Sequence, residues 1–204
     1  MAKPATKPKA DESSSSGRTA SQARRAEVVA ELRDFILDRL RGYYTEQGFN
    51  SQQFEAVAAV QPASFVDFDR RLRAVAAFAQ QSEAEKLAAA NKRVANILRK
   101  EGIDAGAAAQ RELDSGLLRE PAEQALAQAL DAARNDNAAR LDRVAAERDY
   151  AGALTRLAQL QAPLDAFFDV VMVMADDTAL RANRIALLAR IKARFDAIAD
   201  IALL

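Results

Sequence analysis

The chain has 204 residues, half of them hydrophobic and 28% charged, enough for a globular protein with a real core in one domain or two small ones. It contains no cysteine and no histidine, which excludes disulfides, thiolate nucleophiles, zinc ribbons, Ser-His and Cys-His pairs and most metal sites. Lysine plus arginine and aspartate plus glutamate both total 29, so overall charge names no partner. No run reaches the roughly 18–20 apolar residues of a membrane span and the first residues lack a secretory h-region, so the protein is expected to be soluble and cytoplasmic, without a membrane partner.

Residues 1–22, "MAKPATKPKADESSSSGRTASQ", carry almost no apolar surface to offset their ordering entropy, and a disordered tail or linker is expected there. The second expected domain spans residues 23–204. From Glu27, "EVVAELRDFILDRLRGYY" repeats Val28, Leu32, Phe35/Ile36, Leu40 and Tyr43 at helical spacing, with Gly48 as a stop. A short helix in "SQQFEAVAAV" is closed by Pro62, and "ASFVDFDRRLRAVAAFAQ" gives a third. "SEAEKLAAANKRVANILRKEG" opens with Ser82 and Glu85 in capping-box spacing and ends at Gly102. "GIDAGAAAQRELDSG" predicts a loop with a short helical turn, and Pro121 starts a helix running to about Glu147. Gly152 marks a break, Pro163 restarts a helix in the apolar run "PLDAFFDVVMVM", and Asp176 or Asp177 caps a final long helix. No strand-like alternation persists, which predicts an all-α bundle of about seven to eight helices.

Two of these helices carry polar residues in line with their apolar seams. In "DDTALRANRIALLARI" the stripe Leu180, Leu187, Leu188 and Ile191 is interrupted by Asn183 and Arg184. In "AAANKRVANILRK" Asn91 lies between Leu87 and Val94, and Lys92, Asn96 and Arg99 stand on a neighbouring face. A buried polar group without a partner costs about 1–3 kcal/mol, so either these side chains pair internally or the seam opens onto something polar. The charge distribution is uneven as well: Ser82 to Lys100 holds five basic residues against two acidic, Asp177 to Asp200 five against three, and Asp104 to Asp149 six arginines against ten acids. Arginine and lysine neutralise phosphates, asparagine offers a donor and an acceptor to a base edge, and Tyr43 or Tyr44 near Arg41 could offer a stacking surface. Tyr43 continues the first helix's apolar stripe and is expected in the core, which leaves Tyr44 with Arg41 as the candidates for stacking or phosphate contact.

The stretches "ELRDFILDRLRGYYTEQGF", "LAAANKRVANILRK", "PLDAFFDVVMVMADDTALRANRIALLARI" and "FDAIADIALL" resemble the C-terminal part of the β chain of bacterial tetrameric glycyl-tRNA synthetase, over roughly Val28 to Leu204. "DTALR", Asp177 to Arg181, is similar to the DALR anticodon-binding signature shared with arginyl-tRNA synthetases, with Thr178 inserted after the acid. The resemblance implies a helical domain that binds the anticodon region of glycine tRNA. It also implies that ATP-dependent glycine attachment occurs on a separate α chain, with no catalytic residue, cofactor or metal on this chain itself. The family's β chains are several-fold longer, so a C-terminal fragment or a split gene product is expected. Within that family reading, Asn91, Lys92, Arg93, Asn96, Arg99, Arg181, Asn183 and Arg184 are the expected anticodon contacts, the amides meeting bases and the cations phosphates. The expected partners are glycine tRNA and the synthetase α chain, and not DNA. The alternatives are a non-catalytic helical interaction or scaffold bundle, and the anticodon domain of an arginyl-type synthetase.

Overall fold

The computed structural model describes residues 13–141 and 148–204. All regular structure among them is helical, as the periodicity predicts. The first twelve residues of the expected tail lie outside the described residues, and from Ser13 onward the chain is already helical. Two compact units divide between Gln47 and Gly48 rather than near residue 22.

The first unit is the helix α1, Ser13–Glu46. Its seam residues Val28, Leu32, Phe35 and Tyr43 recur at helical spacing and are all more than half exposed, whereas Tyr44 is buried. The tyrosine pair is therefore the reverse of the expectation. Tyr43 follows the exposed apolar stripe, and Tyr44, one residue or about 100° on, faces another way with no ring face to offer. The Gly48 stop is realised: its φ of 89° lies in the left-handed region that glycine occupies without a Cβ penalty.

The second unit runs from Gly48 to Leu204. It comprises α2 (Ser51–Ala59), α3 (Phe65–Phe78), α4 (Ala84–Lys100), α5 (Ala105–Gln110), α6 (Pro121–Leu141), α7 (Tyr150–Ala158), α8 (Gln161–Val170) and α9 (Thr178–Asp196), with 3-10 turns at Ser115–Leu117 and Ile201–Leu203. Local chemistry sets most boundaries. Asn50 and Gln53 form a reciprocal capping box at α2, Asp104 caps α5, and Asp177 caps α9 by accepting from the backbone N–H groups of Ala179 and Leu180. Those two bonds hold the Asp177 carboxyl below the usual aspartate range. The expected box at Ser82 does not form: α4 begins at Ala84 without a side-chain cap, and the Ser82 hydroxyl donates to Glu83 instead. The break expected near Gly152 falls at Arg148 and Asp149, and Gly152 itself sits in the first turn of α7, where a Cβ would collide with the Asp149 carboxylate that caps the helix. The apolar run after Pro163 is buried only in part. After α8 the chain turns extended, so Val171 and Val173 face inward while Met172 and Met174 face outward.

The helix α9 lies at the centre. Ile185, Ala186, Leu187, Leu188 and Ala189 are buried in succession, so the helix has no solvent face through this stretch. Phe195 meets Phe78 with ring centroids 6.4 Å apart, and Phe54 packs on Phe68 at 4.9 Å. The C-terminal end of α9 is satisfied by Arg71, whose Nη1 donates to the carbonyls of Ala197 (2.7 Å) and Ile198 (2.8 Å), a favourable place for a cation. Asp67 fixes that arginine at 2.9 Å and accepts from the Tyr150 hydroxyl at 2.6 Å.

Burial and the bond to Asp67 raise the Tyr150 pKa above its ordinary value. A raised phenol favours the protonated native state, so its contribution is complete below the unfolded pKa of about 10 and is lost as pH rises through the folded value. Denaturant unfolding of wild type and Tyr150→Phe at pH 8 and pH 11 tests this. The variant should be less stable by about 1–3 kcal/mol at pH 8 because Asp67 loses a buried donor, and the gap should narrow at pH 11.

A candidate nucleic-acid interface on α4

The eight expected contact residues do not share one surface. Asn91 is 1% exposed and donates to the Leu87 carbonyl at 3.0 Å, one turn back along its own helix. Asn183, 2% exposed, exchanges two hydrogen bonds with Asp114: its Oδ1 accepts from the Asp114 N–H at 2.9 Å and its Nδ2 donates to the Asp114 carbonyl at 3.0 Å. Arg184 donates from Nε to Glu123 Oε1 at 2.6 Å and from Nη1 to the Met172 carbonyl at 2.8 Å. The Glu123 side chain is fully buried and its other oxygen accepts from the Glu120 N–H at 2.7 Å.

Asn91, Asn183 and Arg184 are thus sealed inside, which corrects their expected role as RNA readers. Their polar groups are spent on the protein's own backbone and on one carboxylate, because α9 is enclosed and its seam opens onto neighbouring loops rather than solvent. Arg181 is half-buried and donates to the Ala175 carbonyl at 3.2 Å, so it too secures the segment ahead of α9.

The remaining residues do share a face. α4 buries Leu87, Ala90, Val94 and Leu98 and turns Lys86, Lys92, Arg93, Arg99 and Lys100 outward, with Asn96 half-buried among them. Lys92 and Lys100 have no carboxylate partner among the described residues. Arg99 donates to Asn96 Oδ1 at 3.1 Å, which orients the amide so that its NH2 group stays available. Arg93 lies with its Cζ 4.1 Å from the centroid of the Phe168 ring of α8, a cation held on an aromatic face. The rest of that cleft is mixed in sign, with Lys86 3.9 Å from Asp165. Phe168 gives no signal in the sequence, because it sits in an apolar run that does not show which ring meets α4.

A family model, DALR anticodon binding domain, matches residues 87–201. The chain belongs to the DALR anticodon binding domain family. That match begins one turn into α4 and ends at Ile201, and it contains Lys92, Arg93, Asn96, Arg99 and Lys100 of the basic face. The chain is also 53% identical over 175 residues to the glycine--tRNA ligase beta subunit of Xanthomonas campestris pv. campestris (strain 8004), covering 85% of this chain and 24% of that protein. Against the protein of the same name from Pseudomonas aeruginosa (strain LESB58), identity is 46% over 179 residues, covering 88% and 25%. The one from Aliivibrio fischeri (strain MJ11) is 48% identical over 179 residues, with the same coverage of 88% and 25%. The chain spans about a quarter of the length of the curated relatives it matches. In this DALR domain the signature stretch is structural: Asp177 is the cap, Leu180 is buried and Arg181 holds a loop.

Removing one partner of the buried pair leaves an uncompensated charge. Arg184→Ala should cost about 3–5 kcal/mol in denaturant unfolding, whereas replacing both Arg184 and Glu123 with apolar residues of similar volume should recover much of that loss.

Proposed function

We propose that the outer face of α4 binds the anticodon region of glycine tRNA, as the anticodon-binding portion of a glycine–tRNA ligase β chain. The observation that carries this is the coincidence of two independent facts. The anticodon-binding family match begins at Leu87, and the open cations of the same helix, Lys92, Arg93, Arg99 and Lys100, lie within it. In this reading the cations hold phosphates, the Asn96 amide donates to a base, and the Arg93–Phe168 stack receives an unpaired ring. Glycine attachment and ATP use belong to the separate α chain of a cytoplasmic complex, and this domain contributes tRNA selection without catalytic groups or a cofactor of its own. No helix among the described residues is long and apolar enough to cross a membrane. A protein neighbour suits α1, whose Val28, Leu32 and Phe35 stand exposed, and within the complex that neighbour is the synthetase assembly itself.

Filter binding of the chain to glycine tRNA over a salt series tests the reading. Each of Lys92→Ala and Arg99→Ala should weaken binding to all tRNAs and flatten the log–log salt slope by about 0.7 for each phosphate that is no longer neutralised. Asn96→Ala should instead reduce discrimination against altered anticodons. Equal binding of glycine tRNA by wild type and a Lys92, Arg99, Lys100 triple alanine variant would overturn the assignment to α4.

A further inference from the structure

A second cluster of cations lies where α6 packs on the C-terminal half of α9, and it shares no residue with α4. Arg190 and Arg194 stand one helical turn apart on α9, so they project from the same side with Cβ atoms roughly 6 Å apart. Arg190 is anchored by carbonyls: its Nε donates to Ala109 at 3.2 Å and its Nη2 to Arg111, which spends only part of the guanidinium. Arg134 comes from α6 and reaches Asp131 at 3.6 Å, a loose pair of exposed side chains that water screens. Arg194 is exposed and makes no hydrogen bond or salt bridge among the described residues.

This arrangement is held against its own electrostatics. Partial burial of the guanidinium and, after it, the like charges of Arg134 and Arg190 hold the Arg194 pKa below its ordinary value, with Asp131 opposing them. An arginine keeps its proton at any working pH, so the cost appears as repulsion in the empty protein. Packing does not ask for these charges. The last turns of α9 are buried through Ile191 and Phe195, and a neutral side chain at 134 or 194 would occupy the same exposed positions. A cluster that repels itself and fills no core has its counter-charge in a ligand. Three forked guanidinium groups from two helices can meet oxygens on several sides of one centre, which suits a tetrahedral phosphate better than the two coplanar oxygens of a carboxylate.

We propose that Arg134, Arg190 and Arg194 form a phosphate-binding site separate from α4. The phosphate is that of an RNA backbone or of a free oligophosphate, and the chemistry that recognises it is the same. The assignment does not rest on the reading of α4 above.

Calorimetric titration with inorganic pyrophosphate at low salt is the first measurement, and filter binding of glycine tRNA over a salt series the second. Wild type should bind pyrophosphate, and an Arg134→Gln, Arg194→Gln double variant should bind it about tenfold more weakly or worse. Arg39→Gln, which removes a cation of α1 instead, should bind it as wild type does. Without ligand the double variant should unfold at the wild-type temperature or above it, because repulsion is relieved. If RNA is the source, the double variant also flattens the log–log salt slope by about 0.7–0.9 for each phosphate released and keeps the discrimination between anticodons; if a free oligophosphate is the source, the slope stays as it was. Equal pyrophosphate binding by wild type and double variant, or none by wild type, overturns the site. A double variant that unfolds below the wild-type temperature overturns it as well, since the arginines would then be structural. If wild type binds pyrophosphate but no RNA, the reading of α4 falls and this site stands.

Discussion

The architecture of the second unit depends on the enclosure of α9 and on the pair that this enclosure traps, Arg184 with Glu123. A helix buried through consecutive residues has no solvent into which a cation can escape, so Arg184 must be matched inside. It is matched twice: by a carboxylate from the first turn of α6, and by a carbonyl of the extended segment that precedes α9. Asn183, one residue earlier, does the same for the backbone at Asp114, and Arg190 reaches the carbonyls of Ala109 and Arg111. Irregular chain around a buried helix carries backbone groups that no regular ladder satisfies, and the polar residues of α9 supply the missing donors and acceptors.

This arrangement bears on where nucleic acid can act. A chain with equal numbers of acidic and basic residues has no long-range pull on a polyanion, so attraction must come from a local excess. On α9 most of the cations are consumed: Arg184 by Glu123, Arg181 and Arg190 by carbonyls, and Lys192 by Asp196 and Asp200, with Arg194 in the last turn exposed. On α4 they are not, because the helix packs one apolar stripe inward and leaves its other side to solvent. Charge counted along the sequence treats the two helices as equals, yet most of the spare charge is on α4.

The sequence shows where the helices lie, because those are decided by neighbours a few residues apart. Pro121, Asp177, Gly48 and the apolar spacing of α3 and α4 act within one or two turns, and each marks its boundary as expected. The same signals also mark Asn91, Asn183 and Arg184 as out of place, and that anomaly is real. What the sequence cannot display is the answer to it, since Asp114 lies 69 residues before Asn183 and Glu123 lies 61 before Arg184. A polar residue in a seam looks the same whether its partner is a loop of the same chain or a ligand.

A family signature and a family's contact surface need not coincide, and here they separate. The residues around "DTALR" are kept in register by geometry: the aspartate must cap, the leucine must fill the interior, and the arginine must reach back to a carbonyl. Each would be demanded of any chain folding this way, whatever it binds. Recognition of a ligand needs groups that the fold does not already use, and α4 keeps such groups in Lys92 and Lys100, which have no carboxylate partner among the described residues. Resemblance through the signature therefore supports the architecture most directly, and in the function proposed above the choice of nucleotide falls to side chains such as Lys92 and Asn96 that the packing of the fold does not require.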